Sequence, residues 1–553
     1  MRNLRTHFRP SRPLPSRLAL LLPLLAGAGL AAGAPALAQG TPWVGVSAAT
    51  AQPLVEQTQS PHGPFALDNF GFALAAGDFN GDGADDLALG IPGDDCGDGL
   101  ALDDCGSVQV QMGLPRLGLT NSVFVLAADN GGAPAPSEAH DRFGLALAVG
   151  DFNGDGFDDL AVGQPDNGSP AEPGAVAQFS GYDHGIELVA DHELRPGEAG
   201  LPAAGPGSPS GFGRALAAGN FNCDLYDDLA VGFPFDVHPV SGGGAATSGS
   251  VLVANGGNGG LLPFDGYLVA EGVLGIPDTP EFGDQFGLAL TAADFNGDGC
   301  DDLAIGAPGE DDCGAVLVLY GSPNGLIFAN HYWLGEFEHG GNCESGDHFA
   351  ASLAAGDFNR DGFDDLVIGV PDEDGNNGEV DMGMMGLVYG APGSPANGGG
   401  LNIAAWQWWW EQLLGGISAN NDHFGAAFTV GDYDGDGFDD LAVATPGNFS
   451  LVEQDGAVTV LTGNPGLLDT RYRRFVPGAR GLPAPPNGQS NFGFGRALAS
   501  GDLDGNGFDD LAIGEPFLNT AAPDDGGALV LYGHLFRDGF ESGDRGVWSS
   551  SVN

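Results

Sequence analysis

Seven times along the chain, a run of Asp, Asn and Gly gives way at once to a run of Leu, Ala, Val and Ile; the copy at 151–163 reads DFNGDGFDDLAVG. The copies start at Asp78, Asp151, Asn220, Asp294, Asp357, Asp432 and Asp502. Numbered from that first residue, side-chain oxygens stand at positions 1, 3, 5 and 9, and position 6 is Gly in six copies. Alternate positions on a tight loop point to one interior, and Gly permits the turn that gathers them. The backbone carbonyl of position 7 can add a further oxygen. Hard oxygen donors in a flexible cage of this size suit Ca²⁺ better than Mg²⁺.

The expected metal ligands of the first loop are Asp78, Asn80, Asp82 and Asp86 with the Ala84 carbonyl, and of the second Asp151, Asn153, Asp155 and Asp159 with Phe157. The fourth offers Asp294, Asn296, Asp298, Asp302 and Cys300, and the fifth Asp357, Asn359, Asp361, Asp365 and Phe363. The sixth offers Asp432, Asp434, Asp436, Asp440 and Phe438, and the seventh Asp502, Asp504, Asn506, Asp510 and Phe508. The third loop, NFNCDLYDD, has Asn220 for the first acid and Leu225 for the Gly, so it is expected to bind weakly or not at all. That leaves about six Ca²⁺ sites. An EF-hand would need an acid at position 12; here position 12 is Leu89, Val162, Val231, Ile305, Ile368, Val443 or Ile513. The loop therefore joins strand to strand. A metal-free Asp/Asn/Gly turn is the plainer alternative. Repetition weighs against it, because carboxylates crowded into an ion-free loop repel one another.

Strands must position these loops. Eight residues before each start stands a Phe: Phe70, Phe143, Phe212, Phe286, Phe349, Phe424 and Phe494, followed by Gly everywhere except at Ala350. The apolar run after each loop closes in Gly-x-Pro, with Ala444 replacing the Gly once. Each unit reads as two strands around the acidic loop, a third after a Gly-rich turn (314–321 or 527–533), and a weaker fourth in a variable stretch such as 122–128. Starts spaced by 63 to 75 residues then describe an all-β fold, a seven-bladed β-propeller of four-stranded antiparallel blades. Closing the ring leaves only short, protected sheet edges. The last unit is short of an outer strand, and segment 39–69 carries strand-like residues at 41–57 without an acidic loop. That segment is expected to supply the closing strand, with 70–533 forming the repeats and 534–553 a tail.

Composition narrows the setting. All 17 basic residues are Arg, and the net charge is −57. Such a surface repels nucleic acid and anionic lipid and attracts cations. Residues 1–38 combine five Arg within the first 17 positions, a short apolar stretch and a small-residue ending at Ala38, the pattern of a secretory signal peptide. No later stretch is apolar and long enough to span a bilayer. The mature chain is expected to be a secreted or cell-surface protein, with the periplasm as a further option, and a monomeric ring. Six Cys in an exported chain suggest three disulfides.

The Phe-Gly pair, the Asp-x-Asp/Asn-x-Asp-Gly-x-x-Asp loop and Gly-x-Pro, in that order, resemble the FG-GAP repeat of integrin α-chain heads and related bacterial proteins. The resemblance covers about 70–533. It implies a propeller with Ca²⁺ held in the hairpins between first and second strands, and adhesion or ligand binding through loops on the opposite face. Blade geometry then suggests the pairs Cys96–Cys105, Cys313–Cys343 and Cys223–Cys300.

These residues admit three functions. A calcium-stabilised adhesion or ligand-binding module for an extracellular protein or glycan fits best, and no catalytic residues are assigned. The runner-up is a secreted polysaccharide lyase or hydrolase on a propeller scaffold; the His residues are scattered and lack a nucleophile motif. A structural surface protein is the third. The variable loop 373–386 and the four Trp within 406–410 are candidate contact surfaces, though such aromatics more often pack against a neighbouring strand.

Overall fold

The computed structural model describes residues 51–54 and 68–533, apart from stretches within the connecting loops, among them 96–103, 128–140, 167–172, 240–244, 337–342, 394–398, 415–419, 448–455, 485–492 and 520–525. The expected signal segment 1–38 and the expected tail 534–553 lie outside the described residues. Seven four-stranded antiparallel sheets form a β-propeller, and helix among the described residues is limited to 3₁₀ turns. In the first blade the strands are Leu74–Gly77, Asp86–Ile91, Ser107–Gln111 and Val123–Ala127, paired in chain order. The innermost strands of successive blades touch all the way round, the seventh against the first.

The residue choices follow from this crowding. Second strands such as Asp159–Gln164 and Asp302–Ala307 are buried along their whole length, which suits unbroken β-branched and apolar runs. First strands are rich in Ala and Gly because the next blade presses on them. A Cβ on Gly77 would stand 2.4 Å from Val149 Cγ1 of the second blade. One on Gly90 would stand 2.0 Å from the Gly144 carbonyl oxygen, so the Gly of the Phe-Gly pair and the Gly of Gly-x-Pro meet across a blade junction. The hydrophobic cores also lie between blades rather than within them. Phe79, Val108 and Val110 of the first blade pack with Phe143, Leu160 and Phe179 of the second.

Closure uses the N-terminal segment. Ala51–Leu54 pairs antiparallel with Ala528–Leu531, and Pro53 sits on this edge strand, where a missing N–H is tolerated. Tyr532 Oη donates to Gln52 Oε1 (2.7 Å) and accepts from the Leu119 N–H of the first blade (3.0 Å). One tyrosine thus ties together the closing strand, the last blade and the first.

The outer strand of the fifth blade is short, Gln407–Trp409, between the 3₁₀ turns Ile403–Ala405 and Glu411–Leu414. Trp406 stacks on Phe349 at 6.2 Å, Trp408 meets the same ring edge-on at 6.4 Å, and Trp409 is buried. Trp406, Trp408 and Trp410 pack into the core shared with the fourth blade, and Trp409 into the core shared with the sixth. Cys223–Cys300 and Cys313–Cys343 form disulfides with Cα separations of 4.8 and 5.5 Å. Cys105 is disulfide-bonded, while Cys96, its expected partner, lies outside the described residues.

Candidate metal centres

In the second loop, Gly154 and Gly156 take positive φ (73° and 91°) and fold the chain back on itself. Backbone N–H groups then hold the side chains. Asp155 N–H donates to Asp151 Oδ1 (3.1 Å) and Asn153 Oδ1 (2.8 Å), Gly156 N–H to Asp151 Oδ2 (3.0 Å), and Phe157 N–H to Asp155 Oδ1 (3.0 Å). Oxygens of positions 1, 3 and 5 are thereby fixed around one interior, each with lone-pair capacity remaining. The first loop repeats the pattern through Asp78, Asn80 and Asp82.

Position 9 has a second task. Asp302 is buried, and its Oδ1 accepts from Gly321 N–H (2.8 Å) at the end of the third strand while Oδ2 accepts from Phe295 N–H (3.0 Å). The same Asp staples Gly113, Gly181, Gly390, Gly463 and Gly533 in other blades. Where position 3 is Asn, its amide also donates to this carboxylate, as Asn153 does to Asp159 (3.2 Å) and Asn80 to Asp86 (3.3 Å). The sixth and seventh loops carry Asp434 and Asp504 there instead. In those loops, oxygens of Asp432, Asp434 and Asp440, and of Asp502, Asp504 and Asp510, lie within 4.8 Å of one another.

Electrostatics show what the loops lack. Burial first, opposed by backbone hydrogen bonds and aided by neighbouring carboxylates, pushes Asp159 up to about 7, Asp86, Asp365 and Asp510 to about 8, and Asp302 and Asp440 to about 9. Asp510 Oδ2 is a buried oxygen without a hydrogen-bond donor. All-oxygen donors, an orphaned carboxylate oxygen and mutual repulsion fit a hard divalent cation. The third loop shares the buried position 9 acid, Asp228, raised by burial to about 7 and with Oδ2 likewise lacking a donor, but it differs at the other positions. Asn220 Nδ2 donates to the Asp224 carbonyl (3.2 Å), placing an amide in the loop interior, and Leu225 is 83 % exposed.

Two recurrent contacts were not read from the sequence. The Asp at position 8 clasps the preceding blade: Asp158 Oδ2 accepts from Asp78 N–H (2.8 Å), while Asp158 N–H donates to the Asp78 carbonyl (3.3 Å). The clasp recurs at every junction, including Asp85 on Asp502, where the ring closes. Its signal was the Asp-Asp pair present in all seven copies. In addition, the position 7 side chain of one loop covers position 4 of the loop before it. Phe157 lies over Gly81, Phe363 over Gly297 and Phe508 over Gly435. Arg360 stacks on Phe438 at 5.8 Å, and the Cys223–Cys300 disulfide replaces the contact covalently.

The profile of the FG-GAP repeat matches residues 70–106, 143–177, 286–319, 349–381, 424–461 and 494–532, passing over the degenerate third unit. Among curated proteins, integrin alpha-5 of Xenopus laevis is 30% identical over 236 residues, covering 41% of this chain and 20% of that protein. Integrin alpha pat-2 of Caenorhabditis briggsae is 31% identical over 277 residues, covering 48% and 20%. Integrin alpha-8 of Mus musculus is 25% identical over 305 residues, covering 55% and 26%. The chain spans about a fifth of the length of the first of these relatives.

Proposed function

The chain is an FG-GAP repeat protein similar to the integrin α-chain propeller, and from that premise we propose that it is an exported, calcium-stabilised module that binds an extracellular protein or glycan. In this reading residues 1–38 direct export, 39–69 supply the closing strand, 70–533 form the repeats, and 534–553 are a C-terminal tail. Six hairpin loops hold Ca²⁺ through the side-chain oxygens at positions 1, 3, 5 and 9 and the carbonyl at position 7. Bound there, calcium supplies the positive charge that the buried position 9 carboxylates need. The chain's own residues do the rest: the position 9 Asp staples third strand to hairpin, and the position 8 Asp clasps hairpin to the preceding blade. Fixing the loops on one face leaves the variable connections on the other, such as 373–386, on a rigid support for a ligand.

The observation that carries this reading is the convergence of Asp151, Asn153 and Asp155 oxygens on one loop interior, repeated round the ring. Purified mature protein on glycan and protein arrays, with calcium or with EDTA, tests it. Saturable, calcium-dependent capture of a defined ligand is the expected result. Robust turnover of acidic or neutral polysaccharides by the same protein would replace the reading with a catalytic one.

A further inference from the structure

The face opposite the acidic hairpins carries carboxylates that belong to none of the loops. Glu271 follows the outer strand of the third blade (Leu262–Val269), Asp284 stands two residues before Phe286, and Glu310 opens the turn Glu310–Asp312 between second and third strands of the fourth blade. They are 1, 2 and 3 % exposed, and an oxygen from each lies within 4.8 Å of the other two. No hydrogen-bond donor reaches either carboxylate oxygen of Glu271. Three carboxyl groups withdrawn from water at one junction are costly without a compensating charge.

The ring contains an internal control. Strand register places Glu271, Glu336 and Glu411 at the same position, two residues beyond Val269, Leu334 and Trp409. Asp284, Asp347 and Asp422 likewise each precede a blade-opening Phe by two. Between the fifth and sixth blades, Arg474 Nη1 pairs with Glu411 Oε1, so a guanidinium supplies the positive charge. At the register position of Arg474, opposite Thr459, the fourth and fifth blades carry Trp333 and Trp408. There the sequence adds a third acid, Glu310 or Glu373, where the sixth blade has Asn448. Of these three junctions, the one with an arginine has two acids, and the two with a tryptophan in its place have three.

We propose that Glu271, Asp284 and Glu310 bind a hard divalent cation, Ca²⁺ by preference, that clamps the third blade to the fourth on the face opposite the hairpins. Two oxygens bound to Ca²⁺ at about 2.4 Å can be no more than about 4.8 Å apart, and the triad meets that limit. Carboxylate-only donors select against soft metals. Glu336, Asp347 and Glu373 repeat the arrangement one junction on, 1, 3 and 9 % exposed. The site shares no residue with the hairpin loops, and its existence is independent of theirs.

Equilibrium dialysis of the full-length protein against radioactive calcium tests it, comparing wild type, Glu271→Gln and the hairpin variant Asp155→Ala. Glu271→Gln should bind one ion fewer per chain, Asp155→Ala should lose a different ion, and the double variant should lose both. An unchanged count in Glu271→Gln, as expected if the three carboxyls merely share protons, overturns the inference and leaves the hairpin reading standing. Should Glu271→Gln fail to fold by circular dichroism, Glu310→Gln takes its place, and crystals of the unmodified protein grown with Mn²⁺ decide directly. An anomalous peak in contact with all three carboxylates supports the site; peaks confined to the hairpin loops, or none, refute it.

Discussion

Stripped of calcium, the protein should lose stability as pH rises from about 6 to 8, whereas the calcium-loaded protein should not. The cause is the position 9 carboxylates of the six loops expected to hold calcium; Asp228 of the third loop, also raised to about 7, acts alike in both conditions. Burial raises their folded-state values from 3.8 to about 7 for Asp159, about 8 for Asp86, Asp365 and Asp510, and about 9 for Asp302 and Asp440. A carboxyl raised in this way holds its proton more tightly folded than unfolded. The stability it contributes is full below 3.8 and is lost as pH climbs through the folded-state value. Each such group changes stability by up to about 1.4 kcal/mol per pH unit. Two acting alone would remove about 3 kcal/mol per unit, and all six no more than about 8, since the groups also influence one another. For a chain of this size about 1 kcal/mol corresponds to roughly one degree, so Tm in EDTA should fall by about 3–8 °C per pH unit. With calcium bound, the ion replaces the protons and the slope should flatten or invert. Near-ultraviolet circular dichroism melts at several pH values, with EDTA and with excess calcium, give the comparison. A Tm in EDTA that is constant or rises over this range, or equal slopes in both conditions, would refute the reasoning.

Three other perturbations probe the scaffold. Asp158→Ala removes the acceptor for the Asp78 N–H and should cost about 1–3 kcal/mol in urea unfolding; Asp158→Asn, which keeps an acceptor oxygen, should recover much of it. Replacing Cys223 and Cys300 with Ser opens a link across 77 residues and should lower stability by about 2–4 kcal/mol in guanidinium melts. His348 and His423 both hydrogen-bond to Asp372, at 2.6 and 2.8 Å, which raises both imidazoles above 6.5 and holds Asp372 below the usual carboxylate range. NMR titration should place both histidines above 6.5 and return them toward it in Asp372→Asn. The stability these pairs contribute should be present below 6.5 and fade as pH rises through the folded-state values.

What was legible in the sequence was whatever repeats within a few residues. Phe70 and its six counterparts, the acidic loops and the Gly-x-Pro closures fixed blade number and the hairpin positions, and the strand pairing bears this out. The closing strand was readable from a deficit in the last unit and a surplus at 41–57; Ala51–Leu54 fills it. Contacts between blades were harder to read, because their partners stand a full repeat apart. Asp158 looks like a spare acid until Asp78 is placed beside it, and the aromatic at position 7 explains itself only over the glycine of the preceding loop. Glu271 and Glu310 belong to variable connections that share no motif, so only strand register reveals that Glu336, Glu373 and Glu411 occupy matching positions. The tryptophans of 406–410 were ambiguous for a similar reason, since Phe349 against which two of them pack lies far off in sequence.

Counting retained calcium by native mass spectrometry in single-loop variants tests the account at its centre. Asp155→Ala and Asp436→Ala should each remove one ion from the wild-type count, because each deletes a position 5 carboxylate that its loop holds toward the interior. Asp224→Ala should remove none, because Asn220 already places its amide in that loop. A wild-type chain that retains no calcium, or an Asp224→Ala variant that loses as much as Asp155→Ala, would contradict the account.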